Sequence, residues 1–379
     1  MTQYRQLIEL HGTKLVDMKP QKKGKVGRKS KLNHLLKRSI ITKNSMTEGM
    51  LPIRNLAEEV QIPKSSLQRY LITMKSIRKA IWIRPKLSES HKIERMRWIL
   101  GLRSGPRSWT FSSQMNVIVI DESWFYLHRV KNYVRLFPDD EIPEPPRVQH
   151  KSHIPKIMFL TALARPQREH RFNGKIGIWR VEEERICQRS NRYHQRGDIY
   201  TQDCTMNSAL YREFMMKIFN AIKIKMPWLR GQPVFVQQDG ASPHKGNGNI
   251  EYFNTEGRKD GWNITVITQP AQSPDLNIND LAFFRSLKCH VEMIKKGANS
   301  LDILYDSVLE AWDNYNVDTL EHIWSHQYEC YRKILHDKGS NSYDPPHSDV
   351  RKRGGIPDLQ IIREDFVGAR DMGEAFDAR

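Results

Sequence analysis

The chain's 379 residues carry a formal net charge of +18, and 39% of them are hydrophobic, which excludes a wholly disordered chain and suits two or three domains with ample core. Its four cysteines, Cys187, Cys204, Cys289 and Cys330, lie far apart with no CxxC pair, which argues against a zinc cluster or a disulfide framework and fits a reducing compartment. No apolar run approaches the ~20 residues that cross a bilayer, and the start of the chain lacks the apolar core of a signal peptide, so no membrane partner is expected.

The charge sits at the front. Residues 1–100 hold 23 Lys and Arg against 7 Asp and Glu, whereas the remaining 279 residues hold 38 against 36. A basic front end on a near-neutral body implies a polyanionic partner, nucleic acid above all. Residues 1–30 read as a basic flexible arm. Within it, Gly27-Arg28-Lys29 resembles the small arms that lie in a minor groove, where cations meet enhanced negative potential, so Arg28 and Lys29 are candidate DNA contacts. The run from Lys22 to Lys31 reads as a nuclear address, a phosphate-contacting arm, or both.

Residues 31–80 read as helical. Ile53, Leu56, Ala57 and Val60 share one face of a short helix, Gln61-Ile62-Pro63 makes a turn, and a second helix runs from about Lys64 to Met74 with Leu67, Tyr70 and Leu71 inward. Small Ala57 and the tight turn suit two closely crossing helices, a helix-turn-helix. Its second helix would present Lys64, Ser65, Ser66, Gln68 and Arg69 to a major groove; the competing reading is an ordinary helical hairpin. Residues 81–112 read as a linker with a basic helix capped by Ser88.

From 113 to about 340 the pattern is mixed. Apolar runs at 115–120, 157–164, 175–179, 233–238 and 264–267 predict strands; 207–226, 280–295 and 301–338 predict helices. That makes an α/β or mixed α+β sheet domain. The proline-rich, acidic stretch 138–150 reads as a loop or extended excursion, and 341–379 as a turn-rich, charged C-terminal tail.

Three carboxylates stand out. Asp121 follows the buried run Val117–Ile120, Asp239 follows Val234-Phe235-Val236-Gln237-Gln238, and Asp280 opens an apolar helix. A two-metal phosphodiester site needs carboxylates from separate elements around two cations, for which hard Mg²⁺ or Mn²⁺ is the natural choice. An aspartate after a strand is more often a turn former when it stands alone; three together, behind a DNA-reading module, favour the metal reading. Asp275, in Ser273-Pro274-Asp275, reads as a structural cap of the turn. Glu122 competes with Asp121, but strand alternation sends it to the other face. His244 is a candidate for a phosphate or water contact, with a surface-loop histidine as the alternative. His322 and His326 next to Glu321 have a zinc-like spacing but no third ligand, and read as structural.

The ordered set VIVIDESWFYL, HKSHIPKIMFLTALARP, NGKIGIW, FVQQDGASPH, QSPDLNINDLAFFRSLK and GSNSYDPPH resembles the mariner-type transposase superfamily over roughly residues 26–360, and within it the plant-type mariner-like branch. The resemblance implies a bipartite N-terminal helix-turn-helix region and a ribonuclease H-like catalytic domain over 113–340. It implies that Asp121, Asp239 and Asp280 bind two Mg²⁺ or Mn²⁺ ions. It further implies cut-and-paste transposition by a nuclear homodimer: cleavage at terminal inverted repeats, then attack of the freed 3′-hydroxyl on a TA target. The 138–150 stretch falls where such enzymes carry a dimer-clasping loop. Gly240-Ala241 departs from the usual Asn-Ala, and the front end holds one convincing helix-turn-helix unit, at about 53–74. The competing readings are a non-catalytic DNA-binding protein derived from such an element, or another ribonuclease H-like nuclease such as a junction resolvase.

Overall fold

The computed structural model describes residues 54, 57–58, 62–73, 84–105, 108–128, 154–190, 195–295, 300–343 and 359–377. The chain divides into two compact units, Met1–Ile83 and Arg84–Arg379. In the first, helix α1 (Lys64–Thr73) follows Pro63, whose fixed φ suits the entry to a helix. The Ile62 amide donates to the Ala57 carbonyl at 2.9 Å, and Ala57 and Leu67 are buried. Lys64, Ser65, Ser66, Gln68 and Arg69 all lie on the exposed side of α1. Arg28 and Lys29 lie outside the described residues, as do most of the first helix of the expected pair and the 138–150 stretch.

The second unit is built on a mixed five-stranded sheet in the order β3-β2-β1-β6-β7. Its strands are β1 (Val117–Tyr126), β2 (Lys156–Ala164), β3 (Lys175–Arg180), β6 (Pro233–Gln238) and β7 (Asn263–Thr268). The first three are antiparallel neighbours; β6 joins β1 in parallel and β7 joins β6 in parallel. A separate hairpin, β4 (Glu182–Ile186) with β5 (Ile199–Asp203), follows β3. Helix α3 (Ser208–Lys225) and helix α4 (Asn249–Glu256) connect the strands that follow. The unit closes with α5 (Phe284–Ile294), α6 (Leu301–Asp313), α7 (Val317–His336) and α8 (Arg363–Asp377). This is the ribonuclease H-like arrangement of a mixed sheet flanked by helices that the sequence leads one to expect.

β1 is apolar on both faces because both are covered. Ile118 and Ile120 pack with Val234, Val236, Tyr211, Phe214 and Ile218 on the α3 side. Val117 and Val119 pack with Phe283, Leu287, Leu304 and Trp324 on the opposite side. Burying side chains of this size contributes roughly 1.5–3 kcal/mol each, so the two layers hold β1 firmly between them.

Two expectations fail outside the sheet. The segment 81–112 is not a free linker: its helix α2 (Glu89–Gly101) buries Ile93, Met96 and Ile99 against Tyr328, Tyr331 and Ile334 of α7. In the C-terminal tail, residues 359–377 are structured too. Ala369 of α8 joins that same cluster, and the Phe111 and Ile361 amides form bonds of 2.8 Å with the Leu359 and Trp109 carbonyls. The apolar faces of α2 and α8 cover one another, which is what makes both ends of the unit fold. Ser88 caps α2 as expected, accepting from the His91 amide.

Candidate active site

The geometry of the site begins with register. β1 and β6 run in parallel with Val117 opposite Phe235, Ile118 opposite Val236 and Val119 opposite Gln237. Carried two residues further, the same offset sets Asp121 opposite Asp239. β6 ends at Gln238, but β1 continues to Tyr126, paired with β2. Asp121 is therefore mid-strand rather than at a strand end as the sequence suggests. It is accessible because the neighbouring strand stops beside it.

Asp121 shares a face with Val117 and Val119 and looks toward the segment that carries Asp280. That segment is held on β1 by two buried asparagines that sequence reasoning misses. Asn277 donates from Nδ2 to Asp121 Oδ2 at 3.1 Å and to the Ile120 carbonyl at 3.3 Å. Asn279 donates to the Val119 carbonyl at 3.3 Å and accepts from Thr161 Oγ1 at 3.0 Å. Asn277 Oδ1 in turn receives the Asn279 amide at 2.9 Å. The next residue is Asp280, in a π-helical turn (Asn279–Phe283) that leads into α5. The wider turn opens the helix start, and Phe283, Phe284 and Leu287 anchor it in the core. The only sequence sign of this clamp is the alternation Asn277-Ile278-Asn279, since asparagine before a helix ordinarily reads as turn chemistry.

Asp280 stands beside Asp121, and each carboxyl influences the other's titration. Burial, then the charges of Asp280 and Glu122, push the Asp121 carboxyl well above the ordinary carboxylate range. Asp280 is open to solvent at the surface, yet the protein packed around it raises its carboxyl as well. Two carboxyls in contact titrate as a pair that retains a proton an isolated aspartate would lose. Lys288 stands two helical turns beyond Asp280. Its ammonium donates to Ser123 Oγ at 2.7 Å; burial lowers its pKa, and the Asp280 charge opposes that shift.

Asp239 is held differently. Its Oδ1 accepts the Ala241 amide at 2.9 Å and lies 2.6 Å from His244 Nδ1, an ion-pair contact rather than an aligned hydrogen bond. Burial raises its carboxyl, but the His244 contact and the Ala241 amide outweigh burial and hold it below the ordinary range. His244 is not the surface-loop residue its Gly-Ala-Ser-Pro surroundings suggest, and it has no ring nitrogen turned to solvent for a phosphate or water. Only 3% exposed, it stacks on Tyr211 with ring centroids 4.1 Å apart, and its Nε2 meets Glu122 Oε1 at 3.2 Å. Burial disfavours its cation, but the two carboxylates prevail and push its pKa up to about 10. Glu122 points to the α3 side as strand alternation requires, away from Asp121's face.

Asp275 stands apart from the cluster. Rather than capping the turn, its carboxylate receives Arg95 through two contacts of 2.6 and 2.7 Å and the Tyr343 hydroxyl at 2.6 Å. Glu321 pairs with Arg165 at 2.6 Å, His322 is exposed and His326 buried, so the zinc-like spacing carries no ligand set.

A hard divalent cation suits the donors that do converge. Asp121, Asp239 and Asp280 are all oxygen donors from three elements, and their mutual repulsion leaves negative charge that a cation would neutralise. Among the described residues, no three such groups enclose a single point. Asp121 stands beside Asp280, and the β1–β6 register carried past Gln237 points Asp239 toward Asp121.

No family model and no curated protein matches the chain. Solved structures do. The pre-cleavage Mos1 transpososome and the Mos1 strand transfer complex each align at 16% identity and a TM-score of 0.57, over 90% of this chain and 87% of theirs. The mariner Mos1 paired end complex with Mg aligns at 17% identity and a TM-score of 0.54, over 89% of this chain and 92% of that one. At such identities the likeness is one of fold.

Proposed function

We propose that the chain is a DNA transposase of the mariner type, acting on double-stranded DNA by metal-assisted phosphodiester cleavage and strand transfer. The observation that carries the reading is Asp121 beside Asp280, with Asp239 just past the end of β6 where the β1–β6 register points to Asp121, on a ribonuclease H-like sheet. The fold likeness to transposase–DNA assemblies, one of them with Mg, supports it. So does the basic front end with its exposed helix α1. In this reading Asp121, Asp239 and Asp280 hold two Mg²⁺ or Mn²⁺ ions. Such ions supply an activated water or 3′-hydroxyl and stabilise the leaving oxygen.

The chain's own groups prepare that chemistry. Asn277 fixes the orientation of the Asp121 carboxylate, and Asn279 docks the turn so that Asp280 faces it. The proton retained by the Asp121–Asp280 pair must leave before both carboxylates can act as ligands. Lys288 partly offsets the negative charge of Asp280.

The finer parts of the reading are a nuclear homodimer of the plant-type mariner-like branch, binding of terminal inverted repeats, insertion at TA, and a dimer-clasping role for 138–150. Lys64, Ser65, Ser66, Gln68 and Arg69 of α1, with Arg28 and Lys29, are the proposed DNA contacts. The deciding experiment is Asp239→Asn in a cleavage assay on a labelled terminal repeat. Cleavage should be lost while repeat binding persists; continued cleavage would overturn the site.

A further inference from the structure

The mechanism above leaves one buried titratable group of the site, His244, without a task. His244 lies on the α3 face, whereas the Asp121–Asp280 pair lies on the other. It gets there because the chain leaves β6 at Gln238, turns through Gly240 and Ala241, and folds back as a short helical turn, Ser242–Lys245. That return stacks the ring on Tyr211, whose hydroxyl donates to Gln238 Oε1 at 2.8 Å. From this seat the two nitrogens reach two carboxylates carried by two different strands: Nδ1 to Asp239 at 2.6 Å and Nε2 to Glu122 at 3.2 Å.

The connection has a mechanical meaning. Glu122 is the peptide neighbour of Asp121. Pairing in the β1–β6 ladder stops at Val119 and Gln237, so nothing in the ladder fixes Asp239 against Asp121. The bridge Asp239–His244–Glu122 does. A residue just past a strand end is thereby tied to the rigid strand that carries the other carboxylate.

We propose that His244 is the positioning residue of the site: it holds Asp239 in place beside Asp121 by bridging it to Glu122, and so sets the site's affinity for divalent cations. This rests on the reading of Asp239 as a cation ligand. Glu122 on this account is the anchor of the bridge and not a ligand. Partners that orient a ligand in this way typically contribute 10- to 100-fold in metal affinity.

The test is titration of the full chain with Mn²⁺, followed by electron paramagnetic resonance of the free ion, with thermal unfolding measured alongside. His244→Ala should weaken Mn²⁺ binding by about 10- to 100-fold. His244→Asn places an amide near the Nδ1 position and should recover part of the loss. His244→Gln reaches toward Glu122 instead and should recover less. That order separates positioning from bulk, because a merely structural histidine would track side-chain size and unfolding temperature; should the alanine variant not fold, the Asn and Gln variants carry the comparison. Binding unchanged in His244→Ala but lost in Asp121→Asn overturns the positioning role and leaves the metal centre standing. Binding unchanged in Asp121→Asn and Asp239→Asn overturns the metal centre and the proposal with it.

Discussion

Arg95 and Asp275, 180 residues apart in sequence, meet through two parallel contacts of 2.6 and 2.7 Å. The guanidinium is fully buried and its Nε also donates to the Gly339 carbonyl at 2.9 Å. Asp275 receives Tyr343 as well, and its backbone carbonyl receives Gln327 Nε2 at 2.7 Å. One aspartate thus gathers α2, α7 and the segment after α7 onto the turn that precedes Asn277.

Removing the carboxylate strands a buried cation. Asp275→Ala should destabilise the second unit by about 3–5 kcal/mol, the usual cost of breaking a buried pair from one side. Urea denaturation of the full chain, followed by tryptophan fluorescence, should show a correspondingly lower midpoint. Asp239→Asn should lower it less, since Asp239 is partly exposed and Glu122 still faces the buried His244.

Asn277→Ala removes the donor that orients Asp121 and leaves the Ile120 carbonyl and the Asn279 amide without their partner. An unmet buried polar group costs about 1–3 kcal/mol. The expected outcome is a modest fall in thermal stability with a much larger fall in cleavage rate, while binding to the terminal repeat is retained. Equal losses in binding and cleavage would contradict the clamp.

The raised carboxyls make stability depend on pH in a direction that can be stated. Asp121 and Asp280 bind protons more tightly folded than unfolded, so the folded state is favoured below the ordinary carboxylate pKa and loses that advantage as pH rises through the raised values. A divalent cation substitutes for the proton. Mn²⁺ should therefore raise the melting temperature more at pH 8 than at pH 5, and Asp121→Asn should abolish the difference.

Lys288 lowers the Asp280 carboxyl. Lys288→Met removes that charge and should lift the Asp280 pKa further. The acid limb of the cleavage rate should then move to higher pH, read from a rate–pH profile at saturating metal. A limb that stays put would show that Asp280 does not govern it.

For α1, Lys64→Ala and Arg69→Ala should weaken repeat binding across sequences. Each should also reduce the slope of log affinity against log salt by about one, if, as proposed, each neutralises one phosphate. Gln68→Ala should instead relax sequence preference with the slope unchanged. A binding assay at several salt concentrations distinguishes the two.

Much of the sheet is legible in the residues. Runs such as Val117–Ile120 and Val234–Val236 are apolar at every position because both faces are covered, and they read as buried strands on that ground alone. The position of Asp121 along its strand is not legible. Its accessibility depends on where a different strand, β6, stops. His244 is misread for a related reason: its neighbours are turn formers, and only the packing of Tyr211 beneath the returning chain turns the ring inward. Asn277 and Asn279 have the same letters as any loop asparagine, and it is their burial against β1 that makes them a clamp. Arg95 belongs to a helix whose composition is that of a solvated basic face, yet its partner arrives from a turn 180 residues later.

The double-sided burial of β1 also bears on how reliably the chain folds. A strand with one wet face resists sliding, because a one-residue shift would put its apolar set in water. Val117, Ile118, Val119 and Ile120 offer no such resistance, since either face would accept either pair. The residues that tell the two settings apart are the acidic neighbours that follow. In the correct setting Asp121 finds Asn277 and Glu122 finds His244; one step out, each acid faces the other's partner with a side chain of the wrong length. The two acids thus add a preference for the observed register that the apolar run does not supply.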